Sequence, residues 1–241
     1  MTDALAALES GPEVADADLS DADPEQVRAV LDRGHAGPWV LRGCVLDELD
    51  LSGVDLTGAV LEQVRAAGAR LRGAVLDGVR VTGGSLAGAD LTDADLTDAV
   101  LTGVDLSRTR FVGARLTDTA FRDCRMIGAD LTGMRSLAVT FTADGCSLAL
   151  ARLADASLRG WRPARVDLSD ADLAGADLRD AVFTDCALRG TDLTRARLTG
   201  ADLRGADLGE ITPETPAVLR GAIVSHAQAA DVCRALGLQV V

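Results

Sequence analysis

Residues 89–98 read Ala-Asp-Leu-Thr-Asp-Ala-Asp-Leu-Thr-Asp, so the same five-residue unit occurs twice in succession, and its pattern extends over most of the chain. A large apolar residue occupies the third position of each unit, called the central position below, and a small residue lies two positions before it. Steps of five from Leu41 to Phe141 give 21 central positions, and steps of five from Leu148 to Leu208 give 13 more. A period of five fits neither an α-helix nor a flat β-strand. A short fixed period is instead typical of a solenoid, which usually functions through its surface.

The units follow a strict rule for inward and outward residues. Only Ala66, Ser136 and Pro163 interrupt the run of large apolar residues at the central position. No charged residue occupies the central position or the small position, so each unit has two inward and three outward residues. Four units can close one square coil of about 20 residues, and stacked coils share hydrogen bonds at a spacing of ~4.8 Å. The 34 units therefore predict about 8.5 coils in a rod of roughly 40 Å.

The most regular units carry the motif Ala-Asp-Leu, and they make the chain resemble the pentapeptide-repeat proteins over residues 37 to about 210. Examples are Ala89-Asp90-Leu91, Ala94-Asp95-Leu96, Ala171-Asp172-Leu173, Ala176-Asp177-Leu178, Ala201-Asp202-Leu203 and Ala206-Asp207-Leu208. The resemblance implies an all-β fold, a right-handed quadrilateral parallel β-helix. We therefore expect residues 37–210 to form the β-helix domain.

Residues 1–36 lack the repeat and contain nine acidic residues against two arginines, so we predict an acidic N-terminal segment. Asp23-Pro24 is typical of a helix N-cap followed by proline at the first helical position. The predicted helix would cover the first coil and hide its apolar core and its unpaired strand edge.

Residues 211–241 are predicted to form a last partial coil, a C-terminal helix and a dimer contact. Ser225 and Gln228 form a capping box that opens the helix, which is expected to run to about Leu236. This segment contains more apolar residues than are needed to cover one end of the solenoid. The quinolone-resistance members of the family that the chain resembles (Qnr and MfpA type) form end-to-end dimers, which implies a homodimer through the C-terminus. The residues expected to form this contact are Val232, Leu236, Leu238, Val240 and Val241.

The repeat is interrupted once, because the step from Phe141 to Leu148 is seven residues. We predict a bulge or short loop over residues 134–147. A second irregularity falls at Trp161-Arg162-Pro163, where proline removes a donor from the hydrogen-bond ladder. Two interpretations remain open: tolerated irregularity, or a protruding contact site.

The cysteine positions and the apolar runs argue against reactive thiols, disulfide bonds and a membrane span. Four of the five cysteines fall at the small inward position, where they are interpreted as core residues. The total of five cysteines is odd and their spacing shows no pairs, which argues against disulfide bonds and favours a reducing cytoplasm. No apolar run approaches the ~18 residues of a membrane span, and the acidic N-terminus is unlike a signal peptide.

An enzyme is not expected, because the residue types that form active sites are rare and scattered. The two histidines, His35 and His226, lie towards opposite ends of the chain. No glycine-rich phosphate loop, metal-ligand cluster or nucleophile–base pair is present, so neither a cofactor nor a metal is predicted.

Charge is distributed unevenly along the chain, whose net charge is −13. The coil region carries 26 acidic residues and 20 arginines, which leaves −6. On one predicted side opposite charges should stack from coil to coil, at Asp50, Arg70, Asp90, Arg110 and Asp130. The first acidic band consists of Asp90, Asp93, Asp95, Asp98 and Asp105. The second acidic band consists of Asp167, Asp170, Asp172, Asp177 and Asp180.

Two functions are compatible with this surface. The acidic bands are candidate partner-binding residues, and the family resemblance implies a DNA mimic that binds DNA gyrase and modulates it or protects it from quinolone-type inhibitors. The alternative is an interaction scaffold for a non-topoisomerase partner, bound through the face of Val40, Val60 and Val100 or through the interruption. A continuous negative face would favour the mimic and alternating charges would favour the scaffold. Direct binding of nucleic acid is disfavoured by the sign of the charge.

Overall fold

The computed structural model describes residues 2–33, 37–135 and 141–240, and it shows the right-handed quadrilateral parallel β-helix that the repeat predicts. One side is a seven-stranded parallel sheet of β1 (Glu13–Ala15), β2 (Val40–Arg42), β3 (Val60–Glu62), β4 (Arg80–Thr82), β5 (Val100–Thr102), β6 (Ala120–Arg122) and β7 (Thr142–Asp144). A two-stranded sheet contains β8 (Val182–Ala187) and β9 (Asp202–Asp207). The helices are α1 (Thr2–Glu9), α2 (Pro24–Leu31), α3 (Thr215–Val218) and α4 (His226–Ala235).

Each coil has four sides, which are named here by the residue that precedes the central position. Face 1 contains Val40, face 2 contains Val45, face 3 contains Asp50 and face 4 contains Asp55. Each of these residues pairs in parallel with the residue twenty positions later, as in Val40 with Val60 and Asp50 with Arg70. Four five-residue units per coil are therefore confirmed.

The corners between faces depend on a left-handed backbone conformation two residues after the central position. Successive corners at Asp93, Asp98 and Gly103 have φ values of 61°, 56° and 64°. This conformation costs an ordinary L-residue about 1–2 kcal/mol, whereas glycine adopts it freely and aspartate tolerates it. The corner therefore explains why glycine and aspartate recur at this position. A few other residues also adopt it, and Leu150 does so at φ 59° with its apolar side chain exposed. The others are Glu48, Gln63, Arg108, Arg165 and Arg195.

The inward residues form one continuous apolar core along the whole rod. Leucine fills most central positions, and alanine or another small residue fills the corner beside it. Five aromatic side chains form a ladder within this core, with neighbouring ring centroids 5.4–6.2 Å apart. They are Phe111, Phe121, Phe141, Trp161 and Phe183.

The register at β7 corrects one expectation from the sequence. Phe121 of β6 lies opposite Ala143, so the prediction that Phe141 occupies a central position is wrong. Phe141 instead takes the small inward position, where it is buried against Trp161 and fills the space that Ala143 leaves. The two extra residues therefore precede Phe141. Residues 136–140, which make up much of the predicted interruption, lie outside the described residues.

The N-terminal end is closed by an additional rung and two helices. Strand β1, which the periodicity did not identify, places Val14 beside Leu41. Above it, Leu8 of α1 and Val27 of α2 are fully buried. The predicted N-cap is confirmed, since Asp23 accepts a hydrogen bond from the backbone N–H of Glu25.

The C-terminal end is covered less completely. The capping box of Ser225 and Gln228 is confirmed, and the Gln228 amide also donates to the carbonyls of Leu203 and Ala206. These bonds attach α4 to the last coil, yet neither α3 nor α4 contains a buried residue. The three-part division of the chain stays a prediction, but the contrast between its two ends is a property of the structure.

Two glycine substitutions distinguish the energetic cost of a left-handed backbone from the cost of crowding between stacked coils. Gly84 has φ +79°, and a Cβ there would lie 2.1 Å from the carbonyl oxygen of Val64. Gly88 has φ +70°, and a Cβ there meets nothing within 4 Å. Gly88→Ala should lower the free energy of unfolding by about 1–2 kcal/mol. Gly84→Ala should lower the free energy of unfolding by about 1–3 kcal/mol more than Gly88→Ala does, because the added methyl group overpacks the space between the coils. Urea unfolding followed by circular dichroism measures both, and equal losses would contradict the close stacking at Gly84.

Candidate protein-interaction surface

Six of the ten predicted partner-binding aspartates precede a central residue, and each holds the backbone of its own corner. Asp90 Oδ1 accepts hydrogen bonds from Thr92 N–H at 3.0 Å and from Thr92 Oγ1 at 2.5 Å. Asp95 does the same with Thr97 at 3.1 and 2.6 Å. The remaining members bond the backbone N–H two residues later, and they are Asp105, Asp167, Asp172 and Asp177. Such local bonds favour a turn, so the Ala-Asp-Leu motif is first a requirement of the coil.

The other four predicted aspartates occupy the left-handed corners. Asp93, Asp98, Asp170 and Asp180 have φ values between 56° and 61°. Aspartate is therefore explained by local structure at all ten positions. Its side chain nevertheless points a negative charge outward, so the same residues remain available to a partner.

Hydrogen bonding keeps several of these carboxylates ionised. Partial burial raises the pKa of Asp95, but hydrogen bonds from Thr97 and the positive charge of Arg115 outweigh this effect and hold the pKa below its ordinary value. For Asp177, the hydrogen bond from the Arg179 side chain is the largest cause of a lowered pKa. Asp95 and Asp177 therefore carry negative charge at neutral pH.

Arginines neutralise half of the predicted binding residues. The ion pairs are Asp90–Arg72 at 3.9 Å, Asp93–Arg135 at 2.5 Å, Asp95–Arg115 at 2.6 Å, Asp177–Arg179 at 2.5 Å and Asp180–Arg159 at 2.9 Å. Among the described residues, the other five have no ion pair within 4 Å, and they are called the unpaired aspartates below. They are Asp98, Asp105, Asp167, Asp170 and Asp172.

Face 3 confirms the predicted alternation of charge. Parallel bridges connect Asp50 to Arg70, Arg70 to Asp90, and so on without interruption through Arg110 and Asp130. The column continues with Arg152 and Asp172, beyond the interruption of the repeat. Each exposed pair of this kind is worth only about 0.2–1 kcal/mol. The alternation also opposes a shift by one coil, which would stack like charges.

Face 1 is the least charged side over its first coils. Val40, Val60 and Val100 point outward and are half-buried, with Arg80 between them. Each of these three valines is the first residue of its strand, and the middle residue of the strand is buried. A protein partner could therefore bind it through apolar contacts.

The apolar residues of the predicted dimer contact are much more exposed than the inward apolar residues of the coils. Leu236, Leu238 and Val240 are 51%, 58% and 47% exposed, while Val232 is half-buried. Val241 lies outside the described residues. Ile223, which was not among the predicted contact residues, is also 46% exposed. Its outward position before the inward Val224 could have identified it.

The described residues offer no arrangement typical of a catalytic or metal site. Residues 2–33, 37–135 and 141–240 contain no group of three or more histidine, cysteine or acidic side chains suited to a metal ion. The four inward cysteines are buried as free thiols, and burial raises the pKa of Cys44 and of Cys186. No helix in the same part of the chain is long and apolar enough to cross a membrane. His35 is not among the described residues.

Comparison with known proteins identifies the family. The sequence profile of pentapeptide repeats matches eight copies, at residues 40–63, 55–98, 94–133, 146–185 and 176–210. The chain therefore belongs to the pentapeptide-repeat family. A comparison with curated protein sequences found no match.

Solved structures with a similar fold include fluoroquinolone resistance proteins. A trypsin-treated variant of QnrB1, a plasmid-mediated fluoroquinolone resistance protein, is 24% identical, with a TM-score of 0.61 over 82% of this chain and 97% of that chain. Full-length QnrB1 is 21% identical, with a TM-score of 0.56 over 84% and 100% of the two chains. HetL, a pentapeptide-repeat protein of Nostoc sp. strain PCC 7120, is 26% identical over 80% and 86%, with a TM-score of 0.43. At these identities the similarity to QnrB1 concerns the fold.

Proposed function

We propose that this protein is a non-enzymatic, protein-binding solenoid and that its partner is DNA gyrase, which it modulates or protects from quinolone-type inhibitors. The observation that carries the proposal is the fixed orientation of the outward carboxylates. Asp105, Asp167 and Asp172 are each held by a backbone N–H at 2.9–3.0 Å. A surface whose charged groups are already ordered loses little side-chain entropy when a partner binds.

The choice of DNA gyrase rests on resemblance and on the acidic surface together. The coil region shares its fold with QnrB1 over 97% of that protein's chain, and its acidic side chains could occupy a groove that normally binds phosphates. A cytoplasmic location, expected from the cysteine usage, belongs to the same proposal.

The magnitude of the charge limits how far the solenoid can imitate DNA. A duplex carries one negative charge per ~1.7 Å, which amounts to roughly 24 charges over a rod of 40 Å. The coil region has 26 acidic residues, but its 20 arginines leave a net charge of only −6. Because face 3 also alternates in sign, mimicry along a whole face is not supported. We propose instead that the unpaired aspartates make the contact.

A second candidate function is an interaction scaffold for a non-topoisomerase partner. It is favoured by the mixed charges of face 3 and by the half-buried Val40, Val60 and Val100 on face 1. In that case the partner would bind the apolar strands, and the aspartates would serve only the corners.

Supercoiling by purified DNA gyrase, with and without a fluoroquinolone, tests the first candidate. The wild-type protein should inhibit the reaction or rescue it from the drug at low micromolar concentration, as expected for a binding free energy of about −8 kcal/mol. Replacing the five unpaired aspartates by asparagine should weaken this effect about tenfold, which corresponds to 1.4 kcal/mol. At Asp105, Asp167 and Asp172, asparagine keeps the side-chain oxygen that accepts the corner hydrogen bond. At the left-handed corners Asp98 and Asp170, asparagine tolerates the same backbone conformation.

The matched control replaces the five ion-paired aspartates of the same bands by asparagine, since it changes the net charge equally. This control should retain most of the effect. Equal losses in both variants would mean that only net charge matters. A folded wild-type protein without any effect on gyrase would leave the scaffold as the function.

We further propose a homodimer formed through the C-terminal end. The support is the contrast between the ends: Leu8 and Val27 are buried at the N-terminal end, whereas Leu236 and Leu238 are about half exposed at the other. Exposed apolar residues that cluster in this way are typical of an interface. A two-fold axis would bring the same patch of both copies together.

Analytical ultracentrifugation of two leucine variants tests the dimer. Leu238→Ser should produce a monomer at concentrations where the wild-type protein is dimeric, because it removes an apolar side chain from the proposed interface. Leu150→Ser is the matched control, since Leu150 is equally exposed at 58% but lies on the coil surface. A monomeric wild-type protein, or dissociation of both variants, would contradict the proposed contact.

A further inference from the structure

The last coil is incomplete on face 3. Strand β9 extends the ladder over face 1, and face 2 ends at Leu208. The chain then leaves the ladder through α3 and rejoins it on face 1, where Ile223 pairs with Asp202. Within the described residues, the face 3 unit at 191–195 is therefore the last of its column, and no further coil is stacked on it.

Three backbone groups of this unit lack the hydrogen bonds that their equivalents form in the coil below. In the coil below, Ala171 O accepts from Asp192 N–H at 2.9 Å, Leu173 N–H donates to Asp192 O at 2.9 Å, and Gly175 N–H donates to Thr194 O at 2.8 Å. The equivalent groups of the last unit have no hydrogen-bond partner within the described part of the chain. They are the carbonyl of Thr191 and the N–H groups of Leu193 and Arg195. Together they form a free parallel strand edge.

A groove of about 260 Å³ lies over this edge, between the last coil and the segment that contains α3. Leu188, Leu193 and Leu208 contribute apolar surface to the groove on the side of the coil, and Val218 and Leu219 do so on the other side. This volume is smaller than the ~300–1,000 Å³ of small-molecule pockets, which argues against a small-molecule site.

The polar lining of the groove is acidic. It includes Asp192, Glu210 and Glu214, and none of the three forms an ion pair with another described residue. The alternation of face 3 also fails here, because Asp172 pairs in the ladder with Asp192, so like charge lies over like charge. An arginine placed over Asp192 would restore the alternation. Wherever the face 3 column places arginine over aspartate, a large apolar residue follows it. These units are Arg70-Leu71, Arg110-Phe111 and Arg152-Leu153.

We propose that this groove binds an extended segment of a partner protein in which an arginine precedes a large apolar residue. The segment adds the missing face 3 unit by strand addition, in which the backbone bonds give affinity and the side chains give specificity. The arginine N–H donates to Thr191 O, and its carbonyl accepts from Leu193 N–H. Its guanidinium lies over Asp192, and the following apolar side chain packs on the leucines of the groove.

The occupant is a partner rather than a second copy of this chain, because of charge. The exposed C-terminal tail of the chain, residues 236–240, reads Leu-Gly-Leu-Gln-Val and contains no basic residue. It does not complement the acidic lining. The inference rests on the proposed protein-binding role but not on DNA gyrase as the partner.

Fluorescence anisotropy with a labelled nine-residue peptide tests the site. The peptide copies residues 67–75 of this chain, Ala-Gly-Ala-Arg-Leu-Arg-Gly-Ala-Val, which contain a face 3 unit with arginine over aspartate. It should bind the full-length wild-type protein saturably. The same peptide with glutamate in place of both arginines should bind at least about tenfold more weakly. N-methylation of the backbone nitrogen of its first arginine should also weaken binding at least tenfold, because it removes the donor to Thr191 O while the charge stays.

Two protein variants with the same change in charge locate the binding. Asp192→Arg should abolish saturable binding, since it places a positive charge where the peptide arginine belongs, and it should fold because face 3 already accepts arginine at this position. Asp77→Arg, on face 4 near the other end of the rod, should bind like wild type. Equal binding by both variants, or by the N-methylated peptide, would overturn the proposal, as would no binding to a wild-type protein whose circular dichroism shows it folded.

Two further results separate this inference from the other proposals. If the peptide binds but gyrase is unaffected by the protein, the groove is supported and the choice of gyrase is wrong. If gyrase responds equally to the wild type and to Asp192→Arg while the peptide does not bind, the groove is overturned and the gyrase proposal stands. If Asp192→Arg instead dissociates the dimer and the peptide does not bind, the occupant is a second copy and the inference is wrong.

Discussion

The coil-to-coil hydrogen-bond ladder is the interaction on which the rest of this structure depends, and it exists only because the chain can turn left-handed at every fifth residue. That turn restricts the corner to glycine and a few tolerant residues, mainly aspartate. The residue before the central leucine is often aspartate too, because its carboxylate bonds the backbone of the corner. Much of the acidity of the coils is therefore a consequence of the backbone geometry. It is not by itself a sign of DNA mimicry.

This origin of the charge changes how the acidic surface is interpreted. All ten aspartates of the two bands have a structural role, so their presence alone does not identify a binding site. Their neighbours distinguish them, because arginines of the same or adjacent coils neutralise five and leave Asp98, Asp105, Asp167, Asp170 and Asp172 without an ion pair. The contacts proposed here therefore lie where the pattern fails: at the unpaired charges, the uncovered C-terminal end and the incomplete last coil.

The periodicity was sufficient to predict the coils, their four faces and the stacking of Asp50, Arg70 and Asp90, because these features follow from a repeat of five. It was insufficient where one or two units stand alone. Val14 and Leu19 are five residues apart and belong to the solenoid. Ala17-Asp18-Leu19 carries the Ala-Asp-Leu motif, but this unit stands apart from the long run and was therefore not assigned to the repeat. Phe141 was assigned to the wrong inward position, since either position can be large when its partner is small. Which aspartates form ion pairs depends on side-chain directions that the sequence does not specify.

The most direct test of this account compares the exchange of backbone amide hydrogens in two stacked units of face 3. Hydrogen–deuterium exchange, measured by NMR or by mass spectrometry of short fragments, reports the opening of each hydrogen bond. The amides of Leu173 and Gly175, which are bonded to the next coil, should exchange slowly. The amides of Leu193 and Arg195, at the free edge, should exchange much faster. Equal protection of the two units would show that the ladder continues beyond the last coil and would contradict the account.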